Sequence, residues 1–371
     1  MRFLEFEGEW EIVRLKNIVQ KVSEKNKENK IDIVFSNSAT KGIVLQTEYF
    51  DKNIANKDNL CGYYIVASND FVYNPRISSN AEVGAMSVNH TELTGLVSPL
   101  YTVFRIINVD IDTLFLEYIF KSKVWHNYMR SIASYGARND RMNVKDVAFF
   151  DLLLCMPLIR EQRKIASLLF LIDQRISTQI KIIERYESLI KGIYTYLLGE
   201  ADKYRKLGEF CEIKKGEQIN KTELLETGEY YVMNGGVTPS GFYHSYNAEA
   251  NTISISEGGN SCGYIQYNDV PFWSGGHCYT LVDIEKDIDN RYLFYYLKAN
   301  EPQIMELRIG SGLPNIQKKD LIHFCVPLPP LLNQKEIADA LDKIITKIEL
   351  EKFAMSTYQK QKKFLLQNLF I

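Results

Sequence analysis

A stretch of about forty residues occurs twice in this chain, 172 positions apart and without a gap. Gln162, Ile165, Ala166, Leu169, Ile172, Ile176, Tyr186, Lys191 and Leu197 return as Gln334, Ile337, Ala338, Leu341, Ile344, Ile348, Tyr358, Lys363 and Leu369. The matches lie on alternating steps of four and three, the spacing that puts side chains on one stripe of a long helix. The apolar seam runs through Ile165, Leu169, Ile172, Ile176 and Ile183 in copy one, and through Ile337, Leu341, Ile344, Ile348 and Met355 in copy two. These are the candidate coiled-coil and partner-docking positions. Gln179 and Glu351 hold the same seam position, where a polar residue either fixes register or is tolerated as a solvated position near a splayed region.

Each long helix follows a globular segment, so the chain reads as two units of the form reader, then rod. The predicted parts are residues 1–158 (reader 1), 159–200 (rod 1), 201–330 (reader 2) and 331–371 (rod 2). The expected fold is α/β (α+β), with two globular domains separated by two long antiparallel helices and an internal pseudo-twofold repeat. A rod of about 38 residues is roughly 57 Å long at 1.5 Å per residue, so antiparallel rods would hold the readers roughly 60 Å apart.

Within reader 1 the pattern predicts strands over Ile43–Phe50, Gly62–Ala67, Asp70–Arg76 and Leu100–Val109, one helix over Ile111–Ser134, and an exposed polar stretch over Lys21–Lys30. Reader 2 repeats this order loosely, with strands at Tyr230–Met233 and Ser254–Ser256 and a helix over Arg291–Leu307. The loops Gly136–Asn143 and Gly310–Asn315 hold equivalent places.

Composition narrows the function classes. Six cysteines without C-x-x-C spacing and only five histidines point to reduced thiols and to neither a metal site nor a disulfide frame. No long apolar run and no leader-like start are present, so a cytoplasmic protein without membrane association is expected. The formal charge is −2, and residues 201–330 hold 12 basic and 17 acidic groups. A protein that grips nucleic acid unaided carries a basic excess, so here the basic groups must be clustered or a partner must supply attraction. The chain has no G-x-x-x-x-G-K-[ST] or G-x-G-x-x-G loop and no Asn/Asp-Pro-Pro-aromatic loop. Asp202 with Glu212-Ile213-Lys214 could be forced into a metal-dependent nuclease pattern, but Glu-x-Lys spacings arise by chance in a chain with 24% charged residues.

The repeated helix starts, Pro157-Leu-Ile-Arg-Glu-Gln162-x-x-Ile165-Ala166 and Pro327-Leu-Pro-Pro-Leu-Leu-Asn-Gln334-x-x-Ile337-Ala338, resemble those of the specificity subunits of Type I restriction-modification systems. Trp10-x-x-x-x-Leu15 and Tyr204-x-x-Leu207 resemble the domain starts of that family. The resemblance covers essentially the whole chain. Copy one lacks the full Pro-Pro pair, and copy two has Asn333 where Glu is usual.

The resemblance implies a non-catalytic subunit whose two target-recognition domains each read half of a split, asymmetric sequence in double-stranded DNA. The rods would dock two methyltransferase subunits, and restriction subunits would join that core. No cofactor is expected on this chain; S-adenosylmethionine, ATP and magnesium belong to the partner subunits. Base readout needs paired donors and acceptors on loops, with Arg suited to guanine and Asn or Gln to adenine. The candidate DNA contacts in reader 1 are Arg76, Ser78, Asn80, Arg138, Asn139 and Arg141. In reader 2 they are Lys214, Lys215, Gln218, Asn220, Lys221, Asn260, Ser261, His277, Ser311 and Asn315. On the residues alone two other classes stay open: a coiled-coil scaffold that binds only protein partners, and a stand-alone nuclease.

Overall fold

The computed structural model describes residues 2–49, 57–135, 140–199, 203–310 and 314–370. It divides into two compact units, Met1–Thr178 with Ala354–Ile371, and Gln179–Phe353. Each unit holds one reader, the end of one long helix and the start of the other. The units therefore cut across the four-part division read from the sequence, because the rod ends pack into the reader cores.

In the first unit, Glu11–Arg14 pairs antiparallel with Leu153–Met156, so the reader's outer strands close beside each other just before the long helix. Its central sheet contains β1 (Val19–Val22), β2 (Phe71–Asn74), β3 (Ala85–Val88) and β4 (Thr102–Ile106), all antiparallel in the order β1-β4-β2-β3. Alternation along β2 sends Phe71 and Tyr73 into the main core and Val72 into a second cluster with Phe35, Val66, Val97 and Val103. Both faces of the strand are thus covered. The turn from β2 to β3 needs Gly84 at φ 81°, where an added Cβ would stand 2.5 Å from the Asn74 carbonyl.

The predicted single helix over Ile111–Ser134 is two helices, α1 (Thr113–Ile119) and α2 (Lys123–Ile132). Asp112 caps α1 by accepting from Phe115 N at 2.9 Å. The break falls at Ser122, which is extended and whose hydroxyl donates back to the Ile119 carbonyl at 2.6 Å. The bend brings the Phe120 and Trp125 rings edge to face at 4.9 Å, both buried. Two further expectations are corrected. The strand expected over Ile43–Phe50 stops at Leu45 and gives way to a helical turn, Gln46–Tyr49. The polar stretch Lys21–Lys30 starts inside β1 and contains a buried Asn26, whose side chain bonds both main-chain groups of Ile31.

Helix α3 (Ile159–Gly199) follows. In the second unit, Tyr204–Lys206 pairs with Cys325–Pro327 as its counterpart does in the first. The central sheet holds β5 (Glu212–Lys215), β6 (Thr252–Ser256), β7 (Ile265–Asn268) and β8 (Cys278–Val282) in the order β5-β8-β6-β7. This is the first sheet's order again. The helix predicted over Arg291–Leu307 is α4 (Asn290–Ala299) plus a shorter helix, Glu301–Glu306, divided at Asn300 and with proline in its first turn. Helix α5 (Leu331–Asn368) ends the fold.

The long helices are 41 and 38 residues. In the first unit Ile165, Leu169 and Ile172 share a core with Leu365, Leu369 and Phe370, and Lys362 Nζ reaches Asp173 Oδ1 at 2.5 Å. In the second unit Ile190, Ile193 and Tyr194 meet Ala338, Leu341 and Ile345, and Lys352 lies 3.8 Å from Glu187. In each unit the start of one helix lies beside the end of the other, so the pair is antiparallel. Ile183 and Ile348 are buried; Ile176, Ile337, Ile344 and Met355 are half-buried. The seam is therefore filled within the chain. The large apolar groups that the long helices leave exposed are others, among them Phe170, Leu171, Leu350, Phe353 and Phe364.

The repeated glutamines have a definite job. Gln162 Nε2 donates to the carbonyls of Asp110 (3.0 Å) and Pro157 (2.8 Å), and its Oε1 accepts from Asp112 N at 2.9 Å. Gln334 repeats all three bonds, to the carbonyls of Asp287 (3.2 Å) and Pro329 (2.8 Å) and from Asp289 N (2.8 Å). Both side chains are buried. Each glutamine satisfies the main chain that leads into the capped helix α1 or α4, and so fixes that helix on the rod. The preceding position differs. Glu161 is buried and takes two bonds from Arg2, each 2.7 Å, whereas Asn333 is exposed. The carboxylate in copy one anchors the N-terminal arm, which explains why the repeat departs from itself there.

Candidate nucleic-acid interface

In both readers the segment just beyond the second strand of the sheet is tied to the loop that precedes the last small helix. In reader 1, Ile77 N donates to the Asp140 carbonyl and Met142 N to that of Pro75, both at 2.9 Å, which sets Arg76 opposite Arg141. In reader 2, Gly259 N donates to the Pro314 carbonyl (3.0 Å) and Ile316 N to that of Glu257 (2.8 Å), which sets Gly258 opposite Asn315. The two bridges are equivalent bond for bond. Side chains directly opposite in such a flanked pair stand close together on one face.

Around the first bridge lies an open cleft of about 560 Å³, walled by Asn37, Asn74, Ser78, Asn80, Tyr101 and the two arginines. Arg76 and Arg141 are exposed, and neither has a carboxylate partner among the described residues. The floor is rigid. Asn37 is buried, donates to the Val72 and Ala85 carbonyls (2.7 and 3.0 Å) and accepts from Ser87. Asn74 Nδ2 donates to the Tyr101 hydroxyl at 3.2 Å. Burial pushes the Tyr101 phenol up, while Ser36, Arg141 and Arg76 pull it down. The phenol stays protonated and offers a donor and an acceptor on the cleft wall.

The second bridge carries a different chemistry. Glu257 is buried; its Oε1 accepts from Lys215 Nζ at 2.7 Å and from the Tyr279 hydroxyl at 2.9 Å. Its Oε2 has no hydrogen-bond partner and lies 3.8 Å from His277 Nδ1. Burial, then the bond to Glu257, pushes the Tyr279 phenol up, so it donates throughout the neutral range. Three strands meet here: β5 brings Lys215, β6 leads into Glu257, and β8 carries Tyr279 just after His277. Gly235, at φ 80°, is packed so that an added Cβ would meet the His277 carbonyl at 2.9 Å.

The structure thus gathers Arg76, Ser78, Asn80 and Arg141 at one cleft, and Lys215, His277 and Asn315 about Glu257. Gln218 stands beside Gly276, where an added Cβ would meet its Oε1 at 2.5 Å. Lys214 is exposed on β5, Asn220 and Lys221 start a short helical turn, and Asn260 and Ser261 follow β6 in a loop. Arg138, Asn139 and Ser311 lie outside the described residues. Asn37, Tyr101, Glu257 and Tyr279 were not among the sequence candidates. Among the described residues no group of His, Cys, Asp or Glu is placed to hold a metal ion, and no helix is long and apolar enough to cross a membrane.

Two readers of one sheet order, each joined to an antiparallel helix pair and each presenting a polar bridge region, define a duplicated recognition protein. Residues 201–356 match the family described as Type I restriction modification DNA specificity domain. A protein described as a type I specificity subunit of Mycoplasma pneumoniae is 37% identical over 39% of this chain and 39% of its own length. The MjaVIII specificity subunit of Methanocaldococcus jannaschii is 22% identical over 100% of this chain and 94% of its own. The crystal structure of the S subunit of a type I restriction-modification system from M. genitalium has the same fold, with a TM-score of 0.67 and 19% identity over 100% of this chain and 98% of that one. The matches to the first curated relatives span about two fifths of their length. Residues 201–356 are thus similar to the type I DNA specificity domain family, and the whole chain shares the fold of that S subunit.

Proposed function

We propose that this chain is the subunit that selects the DNA sequence for a type I restriction-modification complex, and that its target is bipartite. The observation that carries this reading is the pair of equivalent bridges: one frame, occurring twice, with two arginines in one copy and Gly258 with Asn315 in the other. Arginine suits a guanine edge and asparagine an adenine edge in the major groove. Two frames with different side chains read two different half-sites. The antiparallel rods fix the unread spacer between them. Methyltransferase subunits dock on the apolar groups that the rods leave exposed, such as Phe170, Leu171, Leu350 and Phe353. Methyl transfer and any cleavage then belong to those partners, and S-adenosylmethionine, ATP and magnesium bind them.

The test is to sequence the methylated positions in a host that carries this chain with its methyltransferase subunits. A split motif with two unlike halves is expected. Exchanging reader 2 for that of a relative should change one half and leave the other. A contiguous motif, or no methylation with selective DNA binding absent in every assembly, would falsify the reading.

A further inference from the structure

The cleft at Arg76 and Arg141 does not end at the bridge. A second cleft of about 550 Å³ shares Thr40, Asn80 and Ala81 with it. A third, of about 640 Å³, shares Lys121, His126 and Lys362 with the second. The three clefts thus adjoin in series through shared walls, a trough within the first unit that runs from the bridge, past α2, to the last turns of α5. Taken together the clefts exceed the volume of a typical small-molecule pocket, about 300–1,000 Å³.

The trough is strongly charged in a chain whose formal charge is −2. Eight Lys or Arg side chains line it, against two carboxylates, Glu117 and Asp173. Both carboxylates are already engaged: Glu117 with Lys121 (2.7 Å) and His90 (2.7 Å), Asp173 with Lys362 (2.5 Å). Arg130 is paired with Glu82. Lys123 on α2 and Lys363 on α5 are exposed and have no carboxylate partner among the described residues. Their charge is unneutralised, and the Lys362–Asp173 pair beside them holds the helix end in place.

We infer that the trough is a phosphodiester track. On the reading above, duplex DNA seated over Arg76 and Arg141 continues along it, with Lys123 and Lys363 each contacting a backbone phosphate. Lysine serves here because it is a point charge on a flexible stem, suited to phosphate and indifferent to base identity. The end of α5 is then a DNA-contacting element as well as a strut.

The test compares the complete complex of this chain and its methyltransferase subunits with the same complex carrying Lys123→Gln and Lys363→Gln together. Binding to specific and to scrambled duplexes is measured across a salt series. Each phosphate contact contributes about 0.9 to the slope of log affinity against log salt, so the double variant should lower the slope by about 2. Both duplexes should weaken by the same factor, and the methylated motif should not change. An unchanged slope overturns the track while selective binding by the unaltered complex leaves the proposed function standing. Loss of methyltransferase subunits from the variant with an unchanged slope assigns the trough to an acidic protein surface and also overturns it. An unaltered complex with no selective binding sinks both.

Discussion

Reader 1 and reader 2 carry the same bridge, yet opposite strategies surround it. In reader 1 two guanidinium groups, without a carboxylate partner among the described residues, stand over a neutral floor of amides and hydroxyls, so the charge is offered outward. In reader 2 the residue at the place of Pro75 is Glu257, a buried carboxylate that draws Lys215 and Tyr279 inward. The positions of the two arginines are taken by Gly258 and Asn315. A shared backbone frame therefore does not dictate a shared chemistry. The main-chain bonds fix where side chains stand, and on the proposed function the side chains decide what is recognised.

This contrast can be broken or sharpened. The largest effect is expected from Glu257→Ala, which leaves Lys215 and Tyr279 without their acceptor. Losing hydrogen bonds to a buried charged group costs roughly 2–3 kcal/mol, to be read as a lower denaturation midpoint. The half-site read by reader 2 should relax while the other half persists; equal damage to both halves would dissolve the distinction between the readers. Next comes Arg141→Gln. It should weaken specific binding about 10- to 100-fold, corresponding to roughly 1–3 kcal/mol of base discrimination, without altering stability. A gel shift against substituted duplexes checks this, and an unchanged preference at every position removes Arg141 from the interface. The smallest effect concerns pH in reader 1. Burial alone would raise Glu117, but its bonds to His90 and Lys121 bring its pKa below the usual carboxylate range. A depressed folded-state pKa gives stability that is present above the unfolded value near 4.3 and is lost as pH falls through the folded value. Glu117→Gln should therefore flatten the acid limb of the stability profile, measured by thermal unfolding between neutral pH and pH 3. An unchanged limb would mean that the pair contributes nothing to folding.

The parts legible in the sequence were those with a period. The seam residues recur in steps of four and three, and both long helices lie where that pattern places them. Runs of sheet-forming residues closed by a turn signal, such as Phe71–Asn74 ahead of Pro75, were also found close to their bounds, although both faces of that strand are buried. The helix break at Ser122 was not, because Leu114, Tyr118, Trp125 and Met129 keep one helical spacing straight across it. The bridges were invisible for a stronger reason. They join positions far apart in the chain through main-chain bonds, which leave no mark on side-chain pattern. Arg76 and Arg141 were named singly as exposed cations on loops, and only the fold shows them to be opposite one another. Glu257 sits in Ser-Glu-Gly-Gly, which reads as a surface turn; three strands converging on it bury it instead.

The glutamine joints have one more consequence. Every bond made by Gln162 and Gln334 ends on a carbonyl oxygen or an amide nitrogen, and none ends on a side chain. A coupling that grips only the peptide groups is blind to what those residues carry beyond Cα. This joint thus tolerates divergence at the residues it grips, whereas the bonds of Tyr118 to Asp173 and of Arg291 and Tyr295 to Asp342 tie the same helices to the rods through side chains that must be kept.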